Sequence, residues 1–282
     1  MKKCVTLVLG GGGARGALQV GAIRALLEAG FQPDLLVGTS IGAANATGLA
    51  LWGVNQAGLA AVEQTYQKMA ASNLMDPRLA RLTLRLLSGR PNHHGSRRVA
   101  EFFIAAGITP DLRFGQLNHV RLGLVGADLT SGRPVIYGRD PEQSVLEGLL
   151  ASIALPPWFA PVEDNGQYIV DGGALSNLPI EPALSMGATE IIALDLDDPN
   201  TTAESSPGLN PLLGKLAFAV SRRYVQLETA LAEARGVPVQ RIELRSPTAT
   251  PIWDFQNYQQ LIQIGYETAV HNISEWAKPT AG

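Results

Sequence analysis

A serine between two glycines is the residue of this chain best placed to do chemistry. The motif Gly38-Thr39-Ser40-Ile41-Gly42 follows the apolar run Leu35–Val37 and precedes a run of small residues at 43–46. This order predicts a strand, a sharp turn and a helix, with the serine exposed at the apex near the positive end of the helix. The two glycines would avoid collisions with the neighbouring strand or helix. Ser40 is therefore a candidate nucleophile.

A glycine-rich loop precedes this serine motif in the chain. Gly10-Gly11-Gly12-Gly13-Ala14-Arg15-Gly16 follows the apolar run Val5–Leu9, and its glycines at 11, 13 and 16 satisfy G-x-G-x-x-G. One interpretation is a dinucleotide site, which needs an acidic residue at the end of the second strand. Asp34 comes before that strand instead. This disfavours the dinucleotide site, while glycines that merely permit tight packing remain an alternative.

An anion site is the third interpretation of the same loop. Backbone N–H groups of a glycine-rich loop at a helix N-terminus stabilise developing negative charge. Strands one and two are expected to be neighbours, so the loop and Ser40 would emerge at the same edge of the sheet. The N–H groups of Gly12 and Gly13 are the best candidates for an oxyanion hole.

A nucleophilic serine needs a group that accepts its proton. Of the four histidines, only His271 could complete a serine, acid, histidine order, and an amphipathic helix explains it more simply. Asp171-Gly172-Gly173 is the better candidate, because Asp171 ends the short strand predicted at Tyr168–Val170. Desolvation there would raise the pKa of the carboxyl group and make it a more competent base. Asp-Gly-Gly alone is also typical of a plain turn.

The elements that must position these motifs alternate between strand and helix along the chain. This alternation predicts an α/β fold with a mostly parallel central sheet and helices on both faces. Asp254 is predicted to cap a last helix that runs to about residue 278, and residues 197–211 are predicted to form a surface loop. The predicted strands are Val5–Leu9, Leu35–Val37, Val120–Ala127, Val135–Tyr137, Tyr168–Val170, Glu190–Asp195 and Val239–Leu244, and further helices are Ala17–Ala29 and Leu212–Arg235.

Composition and charge limit the class of protein. The chain has 282 residues and a net charge of −3, which argues against nucleic-acid binding by electrostatics. The single cysteine, Cys4, excludes an intrachain disulfide and indicates either a reducing compartment or indifference to redox conditions. We expect a cytoplasmic protein. The apolar run after Lys2 and Lys3 is too short for a secretion signal. The uncharged stretch 35–62 contains many glycines and polar residues, which favours a strand and a buried helix over a membrane span.

The three motifs, in this order, resemble the patatin-like phospholipase family. The segments Ala151–Pro156 and Gly126–Gly132 are also similar to that family, and Asn177 and Pro179 follow the Asp-Gly-Gly at its usual spacing. The resemblance covers roughly residues 5–195. It implies a three-layer α/β/α fold, with residues 1–282 as a single domain in which 196–282 complete the fold without an assigned role.

The resemblance also implies a mechanism. Ser40 would be the nucleophile and Asp171 its proton acceptor in a dyad that needs no histidine. Gly11, Gly12 and Gly13 would form the oxyanion hole, and Arg15 with Gly16 would brace that loop. The family implies hydrolysis of phospholipid or lysophospholipid esters through an acyl-enzyme, without a metal or organic cofactor. Acyl transfer by the same dyad, or a non-enzymatic nucleotide-binding or lipid-binding protein that uses the glycine loop, remain alternatives.

A basic segment between Asp76 and Glu101 contains six arginines and no acidic residue. Arg78, Arg81 and Arg85 would share one helix face, and such a helix can lie on an anionic membrane. A solvated helix whose arginines pair with acids elsewhere is the simpler explanation. Peripheral membrane contact through residues 76–101 is therefore a hypothesis.

Overall fold

The structure, a computed structural model, describes residues 2–72, 74–75, 92–164, 166–196 and 209–276. Its centre is an eight-stranded sheet in the order β5-β6-β3-β2-β1-β7-β8, with β4 paired to β3 beside this path. The strands are β1 (Val5–Leu9), β2 (Leu35–Thr39), β3 (Arg121–Asp128), β4 (Arg133–Tyr137), β5 (Val162–Asp164), β6 (Gln167–Asp171), β7 (Glu190–Asp195) and β8 (Val239–Glu243).

Strand direction divides the sheet into two parts. The strands β3, β2, β1, β7 and β8 are parallel neighbours, whereas β4 and β6 run antiparallel to β3, and β5 runs antiparallel to β6. The mostly parallel central sheet predicted from the sequence is confirmed, as is the pairing of the first two strands. Parallel strands place their carboxyl ends at one edge, where ligands of α/β proteins bind.

Helices cover both faces of the sheet. Alternate residues of β1 show why: Leu7 and Leu9 join one apolar cluster, while Val8 points to the other. The first cluster packs under α1 to α5 and α8, and the second under α6 and α7. These helices are α1 (Gly16–Glu28), α2 (Ile41–Trp52), α3 (Gln56–Ala71), α4 (His93–Ala105), α5 (Val145–Ser152), α6 (Ile180–Ser185), α7 (Leu209–Ala234) and α8 (Tyr258–Trp276). The predicted three-layer α/β/α architecture is thus confirmed.

The last helix returns to the first. A Cβ atom at Gly21 of α1 would meet the carbonyl oxygen of Ile262, and one at Gly265 of α8 would meet that of Leu18. The two glycines therefore let the backbones of α1 and α8 approach closely. This contact ties residues 258–276 to the helix that follows the glycine loop.

Local predictions differ from the structure at three points. The polar residues around His93 and His94, with Pro91 and Gly95, are typical of an exposed loop; both histidines are exposed, but they begin α4. Asp254 does not cap the last helix, because α8 begins at Tyr258 and the Asp254 carboxylate accepts a bond from the Gln256 N–H instead (3.1 Å). Of the predicted loop 197–211, residues 197–208 lie outside the described residues and α7 already begins at Leu209.

Membrane-related predictions fall partly outside the structure. Arg78, Arg81 and Arg85 of the basic segment lie outside the described residues. Within the described ranges, every helix is too short or too polar to cross a membrane.

Candidate active site

Ser40 lies at the turn between β2 and α2, as the sequence predicted. Its backbone has φ 56° and ψ −125°, and among the non-glycine residues described it alone has a positive φ. Such a conformation costs about 1–3 kcal/mol and persists only where the surroundings enforce it. The Ser40 N–H donates to Ser152 Oγ (3.1 Å), which itself donates to the Val125 carbonyl oxygen (2.7 Å). The turn is therefore held by a buried serine of α5.

Close backbone packing explains the glycines of the turn. A Cβ atom at Gly42 would meet the carbonyl oxygen of Leu9 in β1, and one at Gly38 would meet the backbone of Gly42. A residue with a side chain at either position would displace α2 from the end of the sheet. The glycines thus bring the start of α2 close to the glycine loop that follows β1.

Sheet register brings Asp171 to Ser40. Thr39 pairs with Val125 on one side of β3, and Asp171 pairs with Gly126, the next residue of β3. Ser40 follows Thr39 directly, so the serine and the aspartate meet at the edge where β2 and β6 end. Both side chains line the same cleft.

The environment of Asp171 alters its proton affinity. The residue is 5% exposed, and its Oδ1 accepts a bond from the Gly173 N–H (2.8 Å). Burial raises the pKa of Asp171 from 3.8 to about 6, while hydrogen bonds from the Ser40 hydroxyl and the Gly173 N–H oppose that rise. A carboxylate with such a pKa is still mostly ionised at neutral pH and is a better base than an exposed aspartate.

Backbone bonds fix the glycine loop on both sides. The N–H of Gly11 donates to the Asn177 carbonyl oxygen (3.0 Å), and the N–H of Ala14 donates to that of Ile252 (2.9 Å). Gly13 has φ 59°, and a Cβ atom there would collide with Ile252. Among the backbone bonds of the described residues, none uses the N–H of Gly12 or Gly13. These two donors, and not Gly11, are available to a ligand in the cleft.

The other residues predicted for the loop also lie near it. Arg15 is buried and lines the cleft, and the position of a Cβ atom at Gly12 is 3.5 Å from Arg15 Nε. A Cβ atom at Gly16 would meet Ile41 and Tyr66, so this glycine lets the starts of α1 and α2 pack together. The structure brings all of the predicted loop residues to the end of the sheet that carries Ser40.

Asn177 connects the aspartate loop with the glycine loop. Its carbonyl oxygen accepts the Gly11 N–H, and its Nδ2 donates to the Gly11 carbonyl oxygen (3.4 Å). A Cβ atom at Gly173 would lie 3.0 Å from Asn177 Oδ1. Sequence reasoning noted Asn177 only for its spacing after the Asp-Gly-Gly. Its contacts fix the relative position of the two loops.

A buried carboxyl group lies behind this loop. Glu228 of α7 accepts a bond from Ser176 Oγ (2.7 Å) and another from the Glu181 N–H (2.7 Å), and Thr39 Oγ1 donates to the Ser176 carbonyl oxygen (2.9 Å). Burial raises the pKa of Glu228 to about 7, despite these bonds. Sequence reasoning missed Glu228, since one glutamate in a long helix carries no local signal.

The cleft that Ser40 and Asp171 line has a volume of about 480 Å³. This size is typical of small-molecule sites. Its polar groups are concentrated around Ser40, Asp171 and the glycine loop, and its other walls are largely apolar. They include Met69, Phe103, Ile153, Phe159, Phe218 and Phe255.

The histidines lie elsewhere. All four are within the described residues, and none lines the cleft. His271 is exposed on α8, where its Nε2 lies 3.4 Å from Glu275 Oε1. Asp34 accepts the Val5 N–H (2.8 Å) at the opposite end of β1 from the glycine loop, so it is not placed to hold a ribose there. At the end of β2, where a dinucleotide site needs an acidic residue, the structure has Thr39 followed by Ser40.

Comparison with known proteins gives a family for the chain. The family model described as patatin-like phospholipase matches residues 7–184. This match covers more than half of the chain and contains every motif residue from the glycine loop to Asp171-Gly172-Gly173.

Two curated relatives are identical to the chain at less than a third of the aligned positions. An uncharacterized NTE family protein of Mycobacterium tuberculosis is 32% identical over 211 residues, which are 71% of this chain and 54% of the relative. The lysophospholipase NTE1 of Phaeosphaeria nodorum is 28% identical over 286 residues, which are 94% of this chain and 18% of the relative. The chain therefore spans about half of the first relative and about a fifth of the second.

Solved structures share the fold. Human GIVD cytosolic phospholipase A2 superimposes with a TM-score of 0.54 at 13% identity, over 97% of this chain and 59% of that chain. The structure of its complex with methyl gamma-linolenyl fluorophosphonate superimposes with a TM-score of 0.51 at 14% identity, over 97% of this chain and 58% of that chain. At such identities the likeness concerns the architecture alone. From the match over residues 7–184, the chain belongs to the patatin-like phospholipase family.

Proposed function

We propose that the chain hydrolyses carboxylic esters of lipids, phospholipids or lysophospholipids, through an acyl-enzyme on Ser40. The observation that carries this proposal is the meeting of Ser40, on its strained turn, with the buried carboxylate of Asp171 in one apolar cleft. Family membership supports the same chemistry.

The proposed reaction has two halves. Asp171 accepts the Ser40 hydroxyl proton while Ser40 Oγ attacks the ester carbonyl carbon. The bond from that carbon to the leaving alcohol oxygen then breaks, and the alcohol takes the proton from Asp171. A water molecule next gives a proton to Asp171 and attacks the acyl-enzyme, which releases the carboxylic acid and returns the proton to Ser40.

Two backbone donors serve the charge that develops in this reaction. The N–H groups of Gly12 and Gly13 have no acceptor in the described part of the chain and border the same cleft as Ser40. We assign them to the oxyanion, and we leave Gly11 out because Asn177 occupies its N–H. Arg15 would hold the loop in place from its buried position beside Gly12. Removal of one such donor typically slows an enzyme by about 10²–10³-fold.

The cleft and the relatives support a lipid ester as the substrate. A cavity of about 480 Å³ with aromatic and aliphatic walls suits an acyl chain better than a polar substrate. One relative is named a lysophospholipase, in agreement with a lipid ester.

Two further points stay predictions. Most of the basic segment 76–101 lies outside the described residues, and its Arg97 pairs with Glu101 (2.8 Å), so membrane contact through it rests on sequence alone. A cytoplasmic location is likewise a prediction.

We also propose that residues 1–282 form one domain, because β8 extends the same sheet and α7 and α8 complete its helical layers.

A fluorophosphonate probe tests the nucleophile directly. We expect the probe to label Ser40, identified by peptide mass mapping, and p-nitrophenyl esters of increasing chain length to be hydrolysed. Ser40→Ala should lose labelling and activity together. Ser221→Ala is a matched control, since this second serine also lines the cleft and should keep both. Labelling that persists in Ser40→Ala, or a folded protein that neither reacts nor hydrolyses esters, would contradict the proposal.

A further inference from the structure

The helix α7 presents a row of large apolar side chains to solvent. Its exposed members recur every three or four residues and so share one side of the helix. We call this row the outer face of α7, and it consists of Leu212, Leu216, Val220, Tyr224 and Leu227. An apolar row of this kind on the surface of a folded chain marks a site of contact with another protein or with a membrane.

The other side of the same helix belongs to the proposed active site. Ala217 and Phe218 line the cleft that holds Ser40, as does Ser221 one turn later. Farther along, Val225 and Glu228 are buried against the sheet. The outer face of α7 therefore lies on the reverse of a helix that forms one wall of the cleft. A protein or membrane bound to this outer face would lie within about one helix diameter of the substrate.

The charges on α7 indicate what binds to its outer face. No acidic residue occurs from 209 to 227, whereas Lys215, Arg222 and Arg223 lie in that stretch and are exposed. The chain as a whole carries a net charge of −3, so residues 209–227 form a basic stretch on an acidic protein. Apolar side chains beside lysine and arginine are the pattern by which a helix lies in the interface of an anionic bilayer.

A second copy of the chain is the competing occupant. In a symmetric dimer the same patch faces itself, so the cations of both copies would approach each other. Like charges in such a contact oppose association. An anionic phospholipid surface meets both the apolar row and the cations without that repulsion.

We propose that the outer face of α7 docks the protein on an anionic phospholipid surface, with the cleft beside the lipid that it hydrolyses. This inference rests on the proposed lipid ester hydrolysis for its biological purpose. The docking itself needs no catalysis. It can therefore be tested apart from the dyad.

Vesicle binding with non-hydrolysable lipids provides the test. The full chain is sedimented with vesicles of diether phosphatidylglycerol and diether phosphatidylcholine, and with vesicles of diether phosphatidylcholine alone. We expect binding to the anionic vesicles and much weaker binding to the neutral ones. The double variant Leu216→Gln/Val220→Gln should bind the anionic vesicles about tenfold more weakly. Lys215→Gln/Arg223→Gln should weaken binding several-fold, and only in the presence of the anionic lipid.

A matched variant controls for the loss of exposed apolar surface. Leu129 is 59% exposed, like Leu216, and Val270 is 44% exposed, close to the 43% of Val220, but neither residue lies on α7. Leu129→Gln/Val270→Gln should bind as the wild type does. Circular dichroism and hydrolysis of p-nitrophenyl butyrate report on the fold and on the dyad.

Three results would overturn the docking proposal. The first is equal binding by the α7 variants and the matched control, and the second is no binding of wild type to anionic vesicles. The third is a wild-type dimer in light scattering that becomes a monomer in Leu216→Gln/Val220→Gln, which would assign the face to a second copy. Normal anionic binding by a protein without esterase activity would refute the proposed hydrolysis and leave the docking surface standing.

Discussion

Two regions of the chain contribute to the cleft in different ways. The first region runs from β1 to the loop after β6, and the second runs from α7 to α8. The first region provides the polar groups proposed for the chemistry: Ser40, Asp171 and the N–H groups of the glycine loop. The second region provides part of the apolar wall, through Phe218 and Phe255, and the carboxyl group of Glu228 behind the aspartate loop. Bond breaking is therefore assigned to the first region alone, whereas both regions contribute to the apolar wall that would contact the substrate.

This division makes the two regions distinguishable by mutation. Changes to the polar groups of the first region, Ser40, Asp171 and the glycine loop, should slow hydrolysis of every ester by a similar factor. Changes to the cleft wall in the second region should depend on the length of the acyl chain, and changes at Glu228 should act through the position of the loop at 172–179.

The largest effect is expected for Asp171→Asn. Without a proton acceptor, kcat for every p-nitrophenyl ester should fall by about 10²–10⁴-fold. Asp195→Asn is the matched control, because Asp195 is also buried and ends a strand of the same sheet, yet lies outside the cleft lining. Comparable losses in both variants, with both folded, would show that Asp171 has no special part in the chemistry.

The pH profile tests the environment of Asp171. Because burial raises its pKa to about 6 and only the ionised form accepts a proton, kcat/KM should fall about tenfold per unit as the pH drops below 6 and be flat above it. The measurement uses a short soluble ester, with circular dichroism at each pH to follow folding. A profile that stays flat down to pH 4.5 would mean that the working base is not a desolvated carboxylate.

The first region was also the one that the sequence described best. Its signals are backbone signals: Gly42 is needed because β1 passes next to it, and Gly13 because its φ is positive next to Ile252. Constraints of this kind require glycine at fixed positions, and so they produce a motif that can be recognised in the sequence. The alternation of strands and helices predicted the mostly parallel sheet, but not the order of its strands.

The second region left much weaker signals. The length of α7 was predicted to within a few residues, but which side of it faces the cleft depends on contacts distant in sequence. The bond of Glu228 to Ser176 joins two segments that no local pattern relates. In the first region too, one contact was missed: the segment Ala151–Pro156 was noted only for its family resemblance, and the bond of Ser152 to the Ser40 N–H joins residues 112 apart in sequence.

Glu228→Ala should have the next largest effect. It leaves the Ser176 hydroxyl and the Glu181 N–H without their acceptor, which costs about 1–3 kcal/mol for each buried group. We expect a melting temperature lower by several degrees and a kcat about tenfold lower for all chain lengths, as the loop that carries Asp171 loosens. Glu233→Ala, exposed on the same helix, should change neither quantity. A lower melting temperature with an unchanged kcat would limit Glu228 to stability.

Phe218→Ala should affect only long substrates. Removing this ring from the cleft wall should lower kcat/KM for a dodecanoyl ester about tenfold, because apolar contact with the chain is lost. The butyryl ester should change less than twofold. Val270→Ala, an exposed substitution on α8, should leave both esters unaffected. Equal losses for short and long esters would mean that the wall contributed by α7 also positions the dyad.

The smallest effect is expected for His271→Ala. If the base were a histidine, His271 would be the candidate by chain order, and its removal would cost as much as that of Asp171. The structure places it exposed on α8 beside Glu275, so the variant should keep kcat and KM within about twofold and lose only a surface pair of small energy. Activity of His271→Ala is measured beside Asp171→Asn on the same ester. A large loss in folded His271→Ala would move the proton acceptor into the second region and end the division between chemistry and cleft wall.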